Sequence, residues 1–262
     1  MKTRTETIKS LKNKRPISCL TSYDSLTARI FDEAGIDLIL VGDSASNTVL
    51  GKTSTLPATL EEMITFGSAV ASSVQSSLVV IDMPFGSYEL SPAQALENSI
   101  RVMKETGADA VKLEGGENRV EAIKLLIENG IPVMGHIGFT PQSVNQMGGF
   151  KVQGRGEQAE RIQHQALLLQ QAGVFSIVLE MVPRELAAQI SQELSIPTIG
   201  IGAGNETDGQ ILVWQDFAGL SEKTLKFVKQ YAQLRQTLTE ATEQYIKEVQ
   251  SRDFPSPSNS FD

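Results

Sequence analysis

A chain of 262 residues carrying a formal charge of −8 argues against non-specific nucleic-acid binding, which needs a basic face. Hydrophobic residues at 40% and charged residues at 21% are proportions of a globular protein rather than a disordered one. Cys19 is the only cysteine, which excludes an intrachain disulfide and a thiolate metal site and agrees with a reducing, cytoplasmic setting.

The first residues, MKTRTETIKSLKNKRP, lack the apolar core of a secretory signal. No apolar run reaches the roughly 18 residues that a membrane span needs, so no membrane partner is expected. Short runs rich in Val, Ile and Leu then recur: PISCL (16–20), DLILVGD (37–43), SLVVIDMP (77–84), DAVKLEGG (109–116), IPVMGHIG (131–138), FSIVLEMVP (175–183), IPTIGIGAG (196–204) and QILVW (210–214). Each is too short for a helix and reads as a strand. Amphipathic stretches lie between them. One covers 25–34 and is closed by Gly35. Another covers 92–106, with Ser91 as N-cap and Gly107 as C-cap. Two more cover 120–129 and 158–172, closed by Gly130 and Gly173. Residues 224–250 read as a long amphipathic helix with Phe227, Tyr231, Leu234, Leu238, Ala241, Tyr245 and Val249 on one face, suited to a subunit boundary.

Eight strands alternating with helices imply parallel pairing with right-handed crossovers, and eight such units close into a (β/α)8 barrel. An open doubly wound sheet is the alternative. No shift in composition splits residues 1–250, which read as one catalytic domain, and the Ser- and Pro-rich residues 251–262 read as a loose tail.

Most of the strand runs finish in a polar side chain. Asp43 and Ser44 end the second, Asp82 the third, Lys112 and Glu114 the fourth, His136 the fifth and Glu180 the sixth. In a barrel those ends form the catalytic face. Residues two apart share a face of a strand, so Lys112 and Glu114 point the same way. If Asp43, Asp82 and Glu114 converge, each like-charged pair at ~4 Å repels by roughly 4 kcal/mol at an effective dielectric near 20. Three such pairs approach the roughly 5–15 kcal/mol stability of a whole domain. Either the acids titrate or a cation sits among them, and carboxylates without cysteine suit a hard ion such as Mg²⁺.

Each residue also has a structural reading. Asp43 or Asp82 at a strand-to-helix junction equally serves as a helix cap, and Lys112 with Glu114 as an ion pair. His136 equally serves as a satisfied buried histidine. His164, in RIQHQALLL, reads as a helix-surface residue. GIGAGN (200–205) fits a phosphate cradle or a tight turn, and GGFKVQGRG (148–156) reads as a flexible loop of the kind that forms lids.

Taken in order, LTSYD (20–24), LVGDSASNTVLG (40–51), TLPATLEEM (55–63), DMPFGSY (82–88), AVKLEGG (110–116), GHIGFTPQSVNQMGGFKVQGR (135–155), VLEMVP (178–183) and IPTIGIGAGNETDGQILV (196–213) resemble the ketopantoate hydroxymethyltransferase family. The resemblance implies a (β/α)8 barrel of the phosphoenolpyruvate/pyruvate type and a homo-oligomer, often a decamer in the family. It implies Mg²⁺ held by Asp43, Asp82 and Glu114, a keto acid bound by Ser44 and Lys112 beside the metal at Asp43 and Asp82, Glu180 as the proton-transferring base, and His136 lining the site. The implied reaction joins a one-carbon unit from 5,10-methylenetetrahydrofolate to 3-methyl-2-oxobutanoate, giving 2-dehydropantoate for pantothenate synthesis. Two rival readings use the same barrel: a Mg²⁺-dependent lyase of another 2-oxo acid, and a catalytically silent metabolite-binding protein. The chain departs from the family's pattern in two places. Thr65-Phe66-Gly67 stands where relatives carry a His-Thr pair, and Trp214-Gln215 where they carry a His-Asp step.

Overall fold

The eight apolar runs become eight parallel strands in sequence order, and β8 pairs with β1 to close a barrel. This computed structural model describes residues 2–222 and 225–261. Two compact units are present, Met1–Val213 and Trp214–Asp262. In the first, the order begins α1 (Thr5–Leu11), β1 (Ile17–Thr21), α2 (Ser25–Glu33), β2 (Leu38–Val41), α3 (Ala45–Thr48), α4 (Leu60–Ala71), β3 (Leu78–Asp82), α5 (Pro92–Thr106) and β4 (Ala110–Glu114). It continues α6 (Val120–Glu128), β5 (Val133–Gly138), α7 (Val144–Met147), α8 (Gln158–Ala172), β6 (Ser176–Glu180), α9 (Arg184–Glu193), β7 (Thr198–Ile201) and β8 (Gly209–Leu212).

The caps act where the sequence places them. Ser91 accepts the Gln94 N–H at the start of α5, and Gly107 ends that helix at φ +75°. Helix α4 escapes the reading by periodicity, yet it carries a readable start: Thr59 and Glu62 cap each other's backbone N–H. Helix α9 begins at Arg184, directly after the strand run 175–183, with Pro183 as its N-cap. His164 is exposed on α8 as expected. Residues 202–205 bend away from the end of β7, with Gly202 and Gly204 in the left-handed region at φ +64° and +83°.

Strand parity decides which side chains fill the barrel. Leu38, Leu40, Leu78, Val80, Ala110, Met134 and Val178 form its interior, and Ile8 from α1 joins that core. Their neighbours Ile39, Val79, Ile81, Val111, Leu113, Val133, Ile177 and Leu179 face outward and pack with the helices. Lys112 and Glu114 share the parity of Ala110 and therefore point into the barrel.

At the N-terminal ends of the strands, acids are matched by donors. Arg15 grips Asp37 through two bonds of 2.6 and 2.9 Å, and the Ser18 N–H adds a third at 2.9 Å. Burial works against ionisation of Asp37, but these donors outweigh it and hold the carboxyl below its ordinary value. Asp32 likewise overcomes burial by accepting the N–H groups of Gln75, Ser76 and Ser77, and its pKa is lowered. Asp208 takes Lys12 Nζ at 2.7 Å and the Thr198 N–H at 2.9 Å.

The second unit holds α10 (Trp214–Phe217) and α11 (Leu234–Ser251). The long helix thus starts ten residues later than the expected 224–250; Thr224 itself lies outside the described residues. Residues 225–233 are held as a non-helical return. Tyr231 stacks on Phe217 with ring centroids 5.1 Å apart and donates its N–H to the Phe217 carbonyl, and Leu234 bonds back to Ala218. On α11, Leu238, Tyr245, Ile246 and Val249 are exposed. Among the described residues no helix is long and apolar enough to cross a membrane.

Candidate active site

All seven residues singled out from the strand ends line one cavity of about 110 Å³ at the C-terminal end of the barrel. Ladder register explains their meeting: Asp82 pairs with Lys112, Glu114 with His136, and Gly138 with Glu180. Asp43 and Ser44 come from the turn between β2 and α3, and Ser44 Oγ lies 2.7 Å from Tyr23 Oη. Gly138 must be glycine, because it sits at φ +93° and a Cβ there would collide with the Glu180 carbonyl. That close approach seats the catalytic end of β6 against β5.

Lys112 is the one ammonium lining the cavity. Its Nζ lies 3.0 Å from Asp82 Oδ1 and 3.0 Å from His136 Nδ1. Burial opposes its charge, but Asp82, Glu114 and Asp43 together raise its pKa and keep it protonated. A protonated Lys112 donates to His136 Nδ1, which leaves the imidazole proton on Nε2. That nitrogen lies 3.3 Å from Glu180 Oε2, out of line for a hydrogen bond. Burial and the nearby ammonium both lower the His136 pKa, so the ring is neutral, and its 3.4 Å approach to Glu114 Oε1 is no ion pair.

The acids outnumber that lysine. Burial, then Glu114 and Asp82, push Asp43 up to about 8 against the pull of Lys112. Burial pushes Glu114 up to about 7, with Lys112 again opposing. Glu180 is also raised, chiefly by burial, while His136 holds it down. Its side chain is 13% exposed where Asp82, Lys112 and Glu114 are 4%, so it is the acid that opens towards the mouth.

Among the described residues, no three His, Cys, Asp or Glu groups stand in a metal-holding arrangement. The donor chemistry nevertheless fits a hard divalent cation. Three carboxylates supply oxygen only, and Asp82 Oδ1 is buried without a hydrogen bond. The charge balance also favours an added cation, since one lysine cannot keep Asp43 and Glu114 ionised at neutral pH.

Two residues in this cluster escaped the sequence reading. Gln142, buried in the loop after β5, donates from Nε2 to Asp43 Oδ2 at 2.9 Å and to the Met83 carbonyl at 3.0 Å, and its backbone N–H reaches Glu114 Oε2 at 3.0 Å. Tyr88 donates its hydroxyl to Gln142 Oε1 and accepts the Glu114 N–H. An amide and a phenol carry no charge, so residue type alone does not mark them; both lie inside stretches that carry the family resemblance.

A closed barrel with acids and a lysine at its strand C-termini defines a (β/α)8-barrel enzyme site. Among solved structures the fold matches 2,3-dimethylmalate lyase, a PEP mutase/isocitrate lyase superfamily member, with a TM-score of 0.62 at 16% identity, covering 100% of this chain and 93% of that one. It also matches phosphonopyruvate hydrolase in complex with oxalate and Mg²⁺, with a TM-score of 0.63 at 10% identity, covering 99% and 93%. These likenesses show a shared (β/α)8-barrel fold. The chain belongs to the ketopantoate hydroxymethyltransferase family, whose model matches residues 2–257. The 3-methyl-2-oxobutanoate hydroxymethyltransferase of Corynebacterium glutamicum is 53% identical over 262 residues, 99% of this chain and 97% of its own length. That of Leifsonia xyli subsp. xyli is 56% identical over 243 residues, 92% and 88% of the two chains.

Proposed function

We propose that the chain is a 3-methyl-2-oxobutanoate hydroxymethyltransferase of pantothenate synthesis, using Mg²⁺ and 5,10-methylenetetrahydrofolate to form 2-dehydropantoate. The observation that carries this reading is the meeting of Asp43, Asp82 and Glu114 around one lysine in one cavity, in a chain of this family. Asp43, Asp82 and Glu114 would hold the metal, which when bound supplies Lewis-acid polarisation of the 2-oxo group, an effect of several kcal/mol on developing charge.

The remaining work falls to this chain's own groups. Lys112 and Ser44 bind the keto acid's oxygens at the cavity floor. Glu180 receives the C3 proton; burial raises its pKa towards working pH, where a base is most effective. Neutral His136, with its proton on Nε2, lines the site 3.3 Å from the Glu180 carboxylate. The carbon so activated bonds to the one-carbon unit carried by the folate; both bonds from that unit's carbon to the folate nitrogens break, one water supplies the product hydroxyl, and tetrahydrofolate leaves with the C3 proton and a proton from the water on its nitrogens. Exposed Leu238, Tyr245 and Val249 on α11 support self-association, a decamer being the expected form, and buried, unpaired Cys19 supports a cytoplasmic setting.

Turnover of 3-methyl-2-oxobutanoate with methylenetetrahydrofolate tests the reading. Product should form with Mg²⁺ and vanish with chelator, and Asp82→Ala should abolish it while the protein stays folded. No product, but cleavage of a larger 2-oxo acid, would replace the transferase by a lyase.

A further inference from the structure

Each acid of the cluster has one oxygen held by an amide N–H, and the other oxygen of Asp82 faces the Lys112 ammonium at 3.0 Å. Asp82 Oδ2 accepts the Asp43 N–H at 3.0 Å, while Asp82 Oδ1 accepts no hydrogen bond. Asp43 Oδ2 is held by the Gln142 amide and Glu114 Oε2 by the Gln142 backbone N–H. Gln142 thus contacts two of the three acids at once, from a loop that belongs to neither of their strands.

The Gln142 amide has only one workable orientation. Its nitrogen faces two acceptors, Asp43 Oδ2 and the Met83 carbonyl, so a flip would set oxygen against oxygen. Tyr88 holds that orientation from the other side, because its hydroxyl donates to Oε1 and accepts the Glu114 N–H. The Arg119 guanidinium, 4.9 Å from the Tyr88 ring centroid, packs over that ring. A closed circuit therefore runs Glu114 N–H to Tyr88, Tyr88 to Gln142, and Gln142 back to both Asp43 and Glu114. Every member is buried, and a fully satisfied buried network fixes a unique arrangement.

We propose that Gln142 is a positioning residue, oriented by Tyr88, that turns one oxygen of Asp43 and one of Glu114 towards a shared divalent cation. The proposal rests on the reading of the acids as a metal site and adds what aims them. Groups that orient metal ligands from behind typically govern about 10–100-fold of metal affinity. Gln142→Met keeps the length and the backbone N–H but deletes the donor to Asp43. Tyr88→Phe deletes the hydroxyl that fixes the amide.

The test is titration of the full-length protein with Mn²⁺, read by the loss of the free-ion electron paramagnetic resonance signal. Wild type should bind, and Asp82→Ala should not. Gln142→Met should bind at least tenfold more weakly, with turnover recovering at saturating metal, and Tyr88→Phe should be weakened several-fold. A merely structural role would lower the urea midpoint without moving the affinity of the folded fraction. Wild-type affinity in Gln142→Met, with Asp82→Ala still silent, overturns the proposal and leaves the metal reading standing. If Gln142→Met does not fold, wild-type affinity in Tyr88→Phe overturns it. A wild type that binds no Mn²⁺ removes the metal reading and the proposal together.

Discussion

At the N-terminal ends of the strands, Asp32 has three backbone N–H groups, Asp37 a two-pronged arginine and Asp208 a buried lysine. At the C-terminal ends, Asp43, Asp82 and Glu114 share Lys112. The C-terminal acids are the more deeply buried as well as the more poorly matched, and the consequences differ in sign. The pKa values of Asp32 and Asp37 are lowered, while Asp43 and Glu114 rise to about 8 and about 7. Desolvation pushes all four carboxyls up; donors outweigh it at Asp32 and Asp37, and one shared lysine does not at the more deeply buried Asp43 and Glu114. One end is finished by its own chain, and the other is the one proposed to take up a cation.

The largest effect expected from breaking this contrast is chemical. Glu180→Gln removes the acid proposed to accept the C3 proton. Exchange of the C3 proton of 3-methyl-2-oxobutanoate in deuterated water should fall by about 10²–10⁴-fold, followed by proton NMR. Exchange at the wild-type rate would assign the base elsewhere. At the opposite end, Lys12→Met should leave chemistry alone and strike the fold. Lys12 is 6% exposed and its partner Asp208 13%, so the change strands a mostly buried carboxylate. The expected loss is about 3–5 kcal/mol of unfolding free energy in urea, with kcat per folded molecule unchanged. A loss under about 1 kcal/mol would show that the Thr198 groups suffice for Asp208.

The two ends should also answer pH oppositely. Asp32 and Asp37 titrate lower in the folded chain than the value near ~3.9 of the unfolded one. The unfolded chain therefore binds more protons in that interval, and stability rises with pH there. That contribution is fully present above about pH 4 and is lost as pH falls through the folded values. Asp43 and Glu114 do the reverse. With the metal chelated, the folded chain keeps protons that the unfolded chain sheds near pH ~4, so stability falls as pH rises towards about 7 and about 8. Urea midpoints of chelated protein should decline from pH 5 to 8.5, and millimolar Mg²⁺ should flatten that limb. A flat profile in chelator would mean that the acids at the mouth are as well matched as those at the base.

The sequence carried the barrel because its period is strong: eight branched apolar runs, each followed by a helix-length segment. It carried the seven cavity residues because a charge at the end of an apolar strand is conspicuous. The bland readings of Asp43 and Asp82 as helix caps do not hold: Asp43 bonds Gln142, Asp82 bonds the Asp43 backbone, and α3 shows no side-chain cap. Gln142 and Tyr88 stayed hidden because neutral hydrogen-bonding groups acquire meaning only through partners 26 to 99 residues away. The start of α11 was misplaced for a related reason. Phe227 and Tyr231 continue the helical stripe, but Tyr231 is instead stacked on Phe217, a contact that periodicity does not encode.

The smallest effect sharpens the contrast within the N-terminal end itself. Arg15 and Lys12 each neutralise one aspartate there, but the Arg15 side chain is 54% exposed. An exposed pair contributes about 0.2–1 kcal/mol, and the two-pronged geometry places this one near the top of that range. Arg15→Gln should therefore cost about 1 kcal/mol, because Asp37 keeps the Ser18 N–H and hydroxyl. Its acid limb should move up towards pH ~4, since the Arg15 bonds that lower the Asp37 pKa are gone. If Arg15→Gln instead costs as much as Lys12→Met, with the acid limb unmoved, then exposure of the cation is irrelevant. Charge matching at this end would then be set by the burial of the acid alone.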